Sequence, residues 1–284
     1  MGALYRGKNP IADPLSALSP SAAAMMSGRI RPAFAEKNLI IALLSDIHSN
    51  LEALNACLKH AAESGARRYA FLGDIVGYGA DPEGVVDIVA GYAKAGAIVV
   101  KGNHDEAIQK RAGYMNEPVK EVIDWTRAVL SADRKNFLSS LPLCVREGSI
   151  CFVHASAARP ERWDYVDSAA AAQRSVEAAQ TPYTFCGHVH EQSLYFKGGN
   201  GRMSTFGPTS GHPVPVHSRR RWLALVGSVG QPRDRNPAAA YALFDSKLEQ
   251  ITFFRVPYDH LSAARKIRLA GLPGSIAYRV EKGI

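Results

Sequence analysis

The stretch Leu39-Ile40-Ile41-Ala42-Leu43-Leu44-Ser45-Asp46-Ile47-His48 joins a continuous apolar run to two polar side chains that follow it directly. An uninterrupted apolar run of this length is typical of a strand that is buried on both faces, as in a parallel sheet. Ligands of open α/β sheets bind at the carboxyl ends of such strands. The stretch therefore predicts a central strand over 39–44, with Asp46 and His48 in a site at its end.

Up to residue 100, the chain after this strand alternates between helical and strand-like patterns. Ser49-Asn50-Leu51-Glu52 predicts a capping box that begins a helix ending near Glu63. The next elements are a strand over 69–72, a helix that begins after Asp81-Pro82 and ends near Lys94, and a strand over 97–100. This order predicts right-handed crossovers and a parallel sheet.

The second half of the chain contains mostly short strand-like runs. A helical stretch over 105–138, interrupted near 115–118, precedes them. Strands are predicted over 143–146, 149–153, 183–186, 194–197, 202–206, 222–227, 239–244 and 251–256, and helices over 169–179 and 260–270. We expect an α/β (α+β, four-layer) domain over 38–284, with two packed mixed β-sheets flanked by helices. Residues 1–37 have no periodic pattern and are expected to form a flexible extension.

Composition limits the function classes. The formal net charge of +8 invites a nucleic-acid interpretation, but the basic residues are dispersed except for Arg219-Arg220-Arg221, so nucleic acid is disfavoured as a partner. No apolar run reaches the ~18–20 residues that span a bilayer, and no secretory signal is evident. The four cysteines lack CxxC spacing and are expected to be reduced thiols in a cytoplasmic protein.

A series of polar residues recurs after the predicted strands. Its members are Asp46 and His48, Asp74 after Gly73, Asn103, His104 and Asp105 after Gly102, His154, and His188 and His190 after Gly187. Each motif alone occurs by chance or as a turn, but all of them at strand ends should converge on one edge. Carboxylates, imidazoles and an amide together suit Mn²⁺, Fe, Zn²⁺ or Ni²⁺. The glycines permit close backbone approach in a crowded site.

In this order the set D-x-H, G-D, G-N-H-D, H and G-H-x-H resembles the calcineurin-like metallophosphoesterase superfamily over residues 39–284, and its compact bacterial and archaeal phosphodiesterase branch in particular. Three segments carry the closer likeness: Gly73–Gly79, Gly227–Asp234 and Ala264–Pro273. The resemblance implies a metallophosphoesterase-like sandwich. It also implies one metal held by Asp46, His48, Asp74 and His190, and a second held by Asp74, Asn103, His154 and His188. His104 would face the phosphate, and Asp105 would orient His104 by a hydrogen bond.

By the same resemblance, the chain would hydrolyse small phosphodiesters or phosphomonoesters by attack of a metal-activated hydroxide, with Mn²⁺ as the first choice of metal. Nucleotides and dinucleotide polyphosphates are among the candidate substrates. Arg233 is a candidate for gripping phosphate, or else a loop arginine paired with Asp234. Tyr78, and the aromatic pair Trp163 and Tyr165, either stack on an aromatic group of the substrate or plug the core.

Other functions remain open at this point. The segment after Gly73-Asp74 lacks the phosphate-binding arginine of protein phosphatases, since Gly77-Tyr78-Gly79 stands there, and such an enzyme is disfavoured. A non-catalytic scaffold with this fold and a nuclease are the alternatives. The pattern does not decide the oligomeric state, and a homo-oligomer is left open.

Overall fold

A computed structural model describes residues 39–110, 116–199 and 201–284, so the prediction for residues 1–37 lies outside the described residues. The strands are β1 Ile40–Leu44, β2 Arg68–Phe71, β3 Ile98–Val99, β4 Cys144–Glu147, β5 Ile150–Val153, β6 Tyr183–Cys186, β7 Gln192–Lys197, β8 Met203–Phe206, β9 Pro213–Pro215, β10 Trp222–Val226, β11 Ala239–Asp245 and β12 Gln250–Val256. The helices are α1 Leu51–Glu63, α2 Pro82–Lys94, α3 Asn103–Ala107, α4 Glu117–Val129, α5 Ala132–Ser140, α6 Ala169–Ala179, α7 His260–Leu269 and α8 Gly274–Lys282.

The strands form two mixed sheets, as the sequence predicts. Sheet one has the order β3-β2-β1-β11-β12-β9, and sheet two has the order β4-β5-β6-β10-β7-β8. In sheet one, β1, β2 and β3 are parallel, and β11 pairs with β1 in the antiparallel direction. In sheet two, β5, β6 and β10 are parallel. The predicted parallel unit at the start of the domain is thus confirmed.

The domain has four layers: helices, sheet one, sheet two and helix α6. A hydrophobic cluster lies at each of the three contacts between neighbouring layers. Successive residues of β1 alternate, with Ile41 and Leu43 packing between the two sheets and Ala42 and Leu44 packing toward the helices outside sheet one. Helix α6 covers the outer face of sheet two, where Val176 joins a separate cluster. Because both faces of β1 are covered, its sequence must be apolar without alternation.

Several details of the fold differ from the predictions, and the helical stretch predicted over 105–138 has a second break between Val129 and Ala132. The cap of α1 is Asn50 rather than Ser49, and its side chain accepts the Ala53 N–H at 3.1 Å. Helix α8 follows the helix that was predicted to be the last one, and it begins directly after Pro273. Strand β9 was not predicted, because proline is disfavoured in strands. Its two prolines are tolerated because β9 lies at the edge of sheet one.

The structure describes all four cysteines and the lengths of the helices. All four cysteines are unpaired; three are buried, and Cys144 is half-buried with its Sγ 3.5 Å from that of Cys151. Within the three described ranges, no helix is both long enough and apolar enough to cross a membrane.

Candidate metal centre

The predicted site residues come together where the loops of both sheets meet. The loop after β1 is bonded to the loop after β2, since Asp46 N donates to Gly73 O at 3.1 Å and His48 N donates to Asp74 O at 2.9 Å. On its other side, Gly230 N donates to Asp46 O at 2.9 Å. The nine residues of the predicted series are all buried: Asp46, His48, Asp74, Asn103, His104, Asp105, His154, His188 and His190.

Five of these residues have a left-handed backbone. Their φ angles are between 50° and 67°, and they are Asp46, His48, Asp74, His188 and His190. This conformation is unfavourable for residues with a Cβ, and Asp and His tolerate it better than bulkier residues. Such strain is typical of functional sites, where it persists because the surroundings hold it in place.

Two of the predicted glycines are needed for close approach. A Cβ on Gly102 would overlap the Oδ1 atom of Asp74, and a Cβ on Gly187 would overlap the Oγ atom of Ser45. Neither neighbour is a flexible chain end that could move away. The expectation that these motifs carry glycine because the site is crowded is therefore confirmed.

One group of potential ligands consists of Asp46, His48 and His190. The Nε2 atom of His190 lies 3.2 Å from Oδ1 of Asp46 and 3.2 Å from Nε2 of His48. The Nε2 atom of His48 also lies 3.6 Å from Oδ2 of Asp74. Asp46 Oδ1 is buried without a hydrogen-bond partner, so it remains available to a cation.

A second group consists of Asp74, His154 and His188. The Nε2 atom of His154 lies 3.4 Å from Oδ2 of Asp74 and 3.2 Å from Oδ1 of Asn103. The Nε2 atom of His188 is buried and has no partner. Asp74 lies between the two groups, and its Oδ1 accepts the His104 N–H at 2.8 Å, which leaves Oδ2 facing three histidines.

Backbone carbonyls face the opposite nitrogens of three histidines. The Nδ1 atoms of His48, His154 and His190 lie 3.2, 2.7 and 2.6 Å from carbonyl oxygens of Val76, Leu72 and Gln231. Since a carbonyl only accepts, each Nδ1 carries a proton, and each Nε2 points toward the centre, where its lone pair can bind a cation once the ring is neutral. The Nε2 atoms of His48 and His190 face one another at 3.2 Å, an arrangement that suits a shared cation.

The pKa values of these groups are strongly perturbed. Burial lowers the pKa of His188 to about 3. Burial alone would also lower the pKa of His154, but the charge and hydrogen bond of Asp74 raise it to about 9. Burial opposes ionisation of Asp74 too, and the charges of His154 and His104 nevertheless hold its pKa well below the usual range. Buried carboxylates that stay ionised need positive charge close by, and the residues present therefore fit divalent metal ions.

Asp105 does not orient His104 in the way that was predicted. Its carboxylate accepts three backbone N–H groups, from Ile75 and Gly102 at 2.9 Å and from Val76 at 3.2 Å. The Nδ1 atom of His104 has no partner. The carboxylate turns toward the backbone because three amide donors at the start of α3 and after β2 converge on it. His104 is held instead by packing, and burial lowers its pKa to about 4.

Arg233 and Tyr78 lie at the same centre. The Nη2 atom of Arg233 is 3.4 Å from the Tyr78 hydroxyl and 3.3 Å from Oε1 of Gln231, and its Nε has no partner. Asp234 does not pair with Arg233, because Arg255 binds it through two hydrogen bonds of 2.7 and 2.9 Å. The guanidinium of Arg233 is therefore under-satisfied and available to an anion.

Ser228 and Gln231 also shape the centre, although the sequence does not predict a role for them. Ser228 donates to the Asp46 carbonyl at 2.9 Å and accepts the Gln231 N–H at 2.9 Å, and the Gln231 carbonyl faces His190. The Gly227–Asp234 segment carries part of the family resemblance, but Arg233 is its only residue with a predicted role in binding phosphate. A buried serine or glutamine has no distinctive spacing that would reveal its backbone contacts.

Comparison with known proteins agrees with this geometry. Residues 39–249 match the family model of the calcineurin-like phosphoesterase superfamily domain. An uncharacterized protein of Methanocaldococcus jannaschii is 34% identical over 255 residues, which are 86% of this chain and 98% of that protein.

Two solved structures have the same fold. A metallophosphoesterase from Sphaerobacter thermophilus is 35% identical with a TM-score of 0.78, over 87% of this chain and 100% of that chain. A hypothetical protein from Pyrococcus horikoshii is 21% identical with a TM-score of 0.71, over 87% of this chain and 99% of that one. The chain therefore belongs to the calcineurin-like phosphoesterase superfamily and is a phosphate-ester hydrolase.

Proposed function

We propose that the chain is a two-metal phosphoesterase acting on small phosphodiesters or phosphomonoesters, nucleotides among them. The observation that carries the proposal is the set of buried carboxylate–imidazole groups around Asp46 and Asp74, in which the Nε2 atom of His48 lies 3.6 Å from Oδ2 of Asp74. One ion would be held by Asp46, His48, Asp74 and His190, and the second by Asp74, Asn103, His154 and His188. Mn²⁺ is the metal we would test first, before Fe, Zn²⁺ and Ni²⁺.

Divalent ions held by these residues would supply Lewis-acid charge for phosphoryl oxygens and would lower the pKa of water in the site. Asp74 belongs to both proposed ligand sets and would contribute its carboxylate to each. His104, whose Nε2 lies 4.0 Å from Oδ2 of Asp74, donates a hydrogen bond to a phosphoryl oxygen or a proton to the leaving oxygen. Arg233 and the Tyr78 hydroxyl, which lie 3.4 Å apart, would hold the phosphate. Asp105 acts as a positioning residue through the turn that precedes His104.

The test uses metal-stripped protein reloaded with Mn²⁺ and an aryl phosphodiester as substrate. We expect hydrolysis only after reloading. His104→Ala should retain two ions per chain by elemental analysis and lose most of the activity, by ~10²–10⁴-fold if the histidine is an acid catalyst. Undiminished activity in His104→Ala would refute the role of the histidine, and fewer than about one ion per chain in the wild type would favour a non-catalytic scaffold.

A further inference from the structure

Tyr165 presents an exposed aromatic ring at the edge of the metal centre. The ring stacks on His188, with centroids 4.1 Å apart and planes inclined by 25°. The residue is nevertheless 51% exposed. Because His188 covers one face of the ring, the exposure belongs to the opposite face and the ring edge. A flat apolar surface thus lies beside the place where the reaction is proposed to occur.

Neighbouring residues hold the Tyr165 ring in this exposed position. Trp163 is 8% exposed, its indole N–H donates to Glu106 at 3.2 Å, and its ring lies 6.0 Å from that of His154. Val166, on the other side of Tyr165, is 1% exposed. Trp163 also has a φ of 58°, which is strained for a residue with a Cβ. Two anchored neighbours and a strained turn therefore hold Tyr165 outward over His188.

We propose that Tyr165 is the stacking platform for the base of a nucleotide substrate whose phosphate lies at the metal centre. The inference rests on the proposed phosphoesterase function and names its substrate class. Base–aromatic stacking is tolerant of base identity because every base has a π face. The platform therefore selects for a base and not for a particular one.

Other aromatic residues at the centre do not offer such a face. Tyr78 is 6% exposed, and its ring packs between those of His48 and His104 at centroid distances of 4.5 and 4.6 Å. Trp163 is buried by the contacts that anchor its loop. Of the aromatic side chains considered from the sequence, Tyr165 alone combines a supported ring with an open face.

The distance between the metal centre and the open face of Tyr165 favours a nucleotide over a simple aryl phosphate. A ring stacked on the open face of Tyr165 would lie roughly 8–9 Å from the His188 ring, since the Tyr165 and His188 centroids are 4.1 Å apart and a further stacked ring adds about 4.5 Å. A sugar between phosphate and base covers such a span. An aryl group esterified directly to a phosphate at the metal centre would be too short to reach it.

The test compares two phosphomonoesters that differ only in the base, adenosine 5′-monophosphate and ribose 5-phosphate. Dissociation constants are measured by calorimetry on Mn²⁺-loaded full-length chain carrying His104→Ala, so that the probes persist. We expect the nucleotide to bind about 5- to 100-fold more tightly than the sugar phosphate. Adding Tyr165→Ala should abolish this ratio, whereas Tyr165→Phe should keep it. Phe206→Ala, which removes an exposed ring from strand β8, serves as the control and should also keep it.

Equal affinities for the two probes would overturn the inference, as would an unchanged ratio in Tyr165→Ala. Loss of the ratio in Tyr165→Phe would replace stacking by a hydroxyl contact and would overturn it too. If the wild type hydrolyses the aryl diester while the two probes bind alike, only the inference fails. If the wild type neither hydrolyses the diester nor binds either probe, the proposed function fails with it.

Discussion

Gly77 determines where the His104 ring can lie. Its φ is 96°, and a Cβ at this position would overlap Nδ1 of His104. We expect Gly77→Ala to displace the imidazole from the phosphate and to lower kcat by at least ~10²-fold, the range of a lost acid–base group. Metal content, measured by elemental analysis, should stay at the wild-type level, because His104 is not a proposed ligand.

Gly91→Ala is the matched control for Gly77→Ala. Gly91 is exposed in α2, and a Cβ there would meet no atom within 4 Å. Alanine at this site should raise the free energy of unfolding by about 0.5–1 kcal/mol and leave kcat unchanged. Wild-type kcat in Gly77→Ala would mean that the ring position observed for His104 is not the one used in turnover.

For single residues, the sequence predicts which side chains lie together in the site but not which atoms each side chain contacts. The nine residues of the series could be found because each follows a strand within a few positions, and strand ends converge. The direction of the Asp105 carboxylate could not be found in this way. It depends on amide groups from two loops that are about thirty residues apart in the chain, at Ile75 and Gly102. Likewise, nothing local distinguishes the exposed Tyr165 from the buried Trp163.

At the scale of elements, the two sheets are joined by an ion pair at the ends of β2 and β4. Arg68 binds Glu147 through two hydrogen bonds, one of them 2.6 Å between Nη2 and Oε2. The hydrogen bond from Arg68, reinforced by its charge, lowers the pKa of Glu147 below the usual value of 4.5. A carboxyl group whose pKa is lower in the folded state stabilises the fold above its unfolded pKa. That stabilisation is lost as the pH falls through the folded value.

We therefore expect Glu147→Gln to lower the free energy of unfolding at pH 7 by about 1 kcal/mol or less, since the pair is partly exposed. The difference between wild type and variant should shrink toward zero below about pH 4. Urea unfolding across a pH series measures it. Glu63→Gln is the control, because its partner Lys59 is 3.9 Å away and both side chains are exposed. A difference that stays constant down to pH 3.5 would contradict this assignment.

Element prediction succeeded where periodicity was strong and failed where the reason lay elsewhere in the fold. Helix α6 and strand β6 have the bounds that were predicted, because each is a clear run between turn residues. Strand β9 forms only because β12 offers an edge to Val214 and the prolines beside it. Such pairing is a property of the assembled sheet and leaves little trace in a three-residue segment.

At the scale of the whole molecule, the proposed ligands come from both sheets. Asp46, His48, Asp74 and Asn103 follow strands of sheet one, whereas His154, His188 and His190 follow strands of sheet two. The pattern of strands in the sequence already predicts two packed sheets, and the motifs that follow those strands are expected to converge. The packing between them, through Leu43, Phe152, Phe185 and Phe244, required the structure.

Because the proposed site spans both sheets, it exists only when they are assembled, and metal binding should stabilise the fold as a whole. Free Mn²⁺ at 100 times its Kd should add about 2.7 kcal/mol for each of the two proposed ions. For a domain of this size, the contribution of each ion corresponds to a rise in Tm of roughly 5–10 °C by calorimetry. Asp74→Asn should lose the gain, since both proposed ligand sets include that carboxylate, whereas His212→Ala, at an exposed histidine outside the site, should keep it. If Mn²⁺ raised the Tm of Asp74→Asn as much as that of the wild type, the metal would bind elsewhere, and the proposed centre would not be the source of the stabilisation.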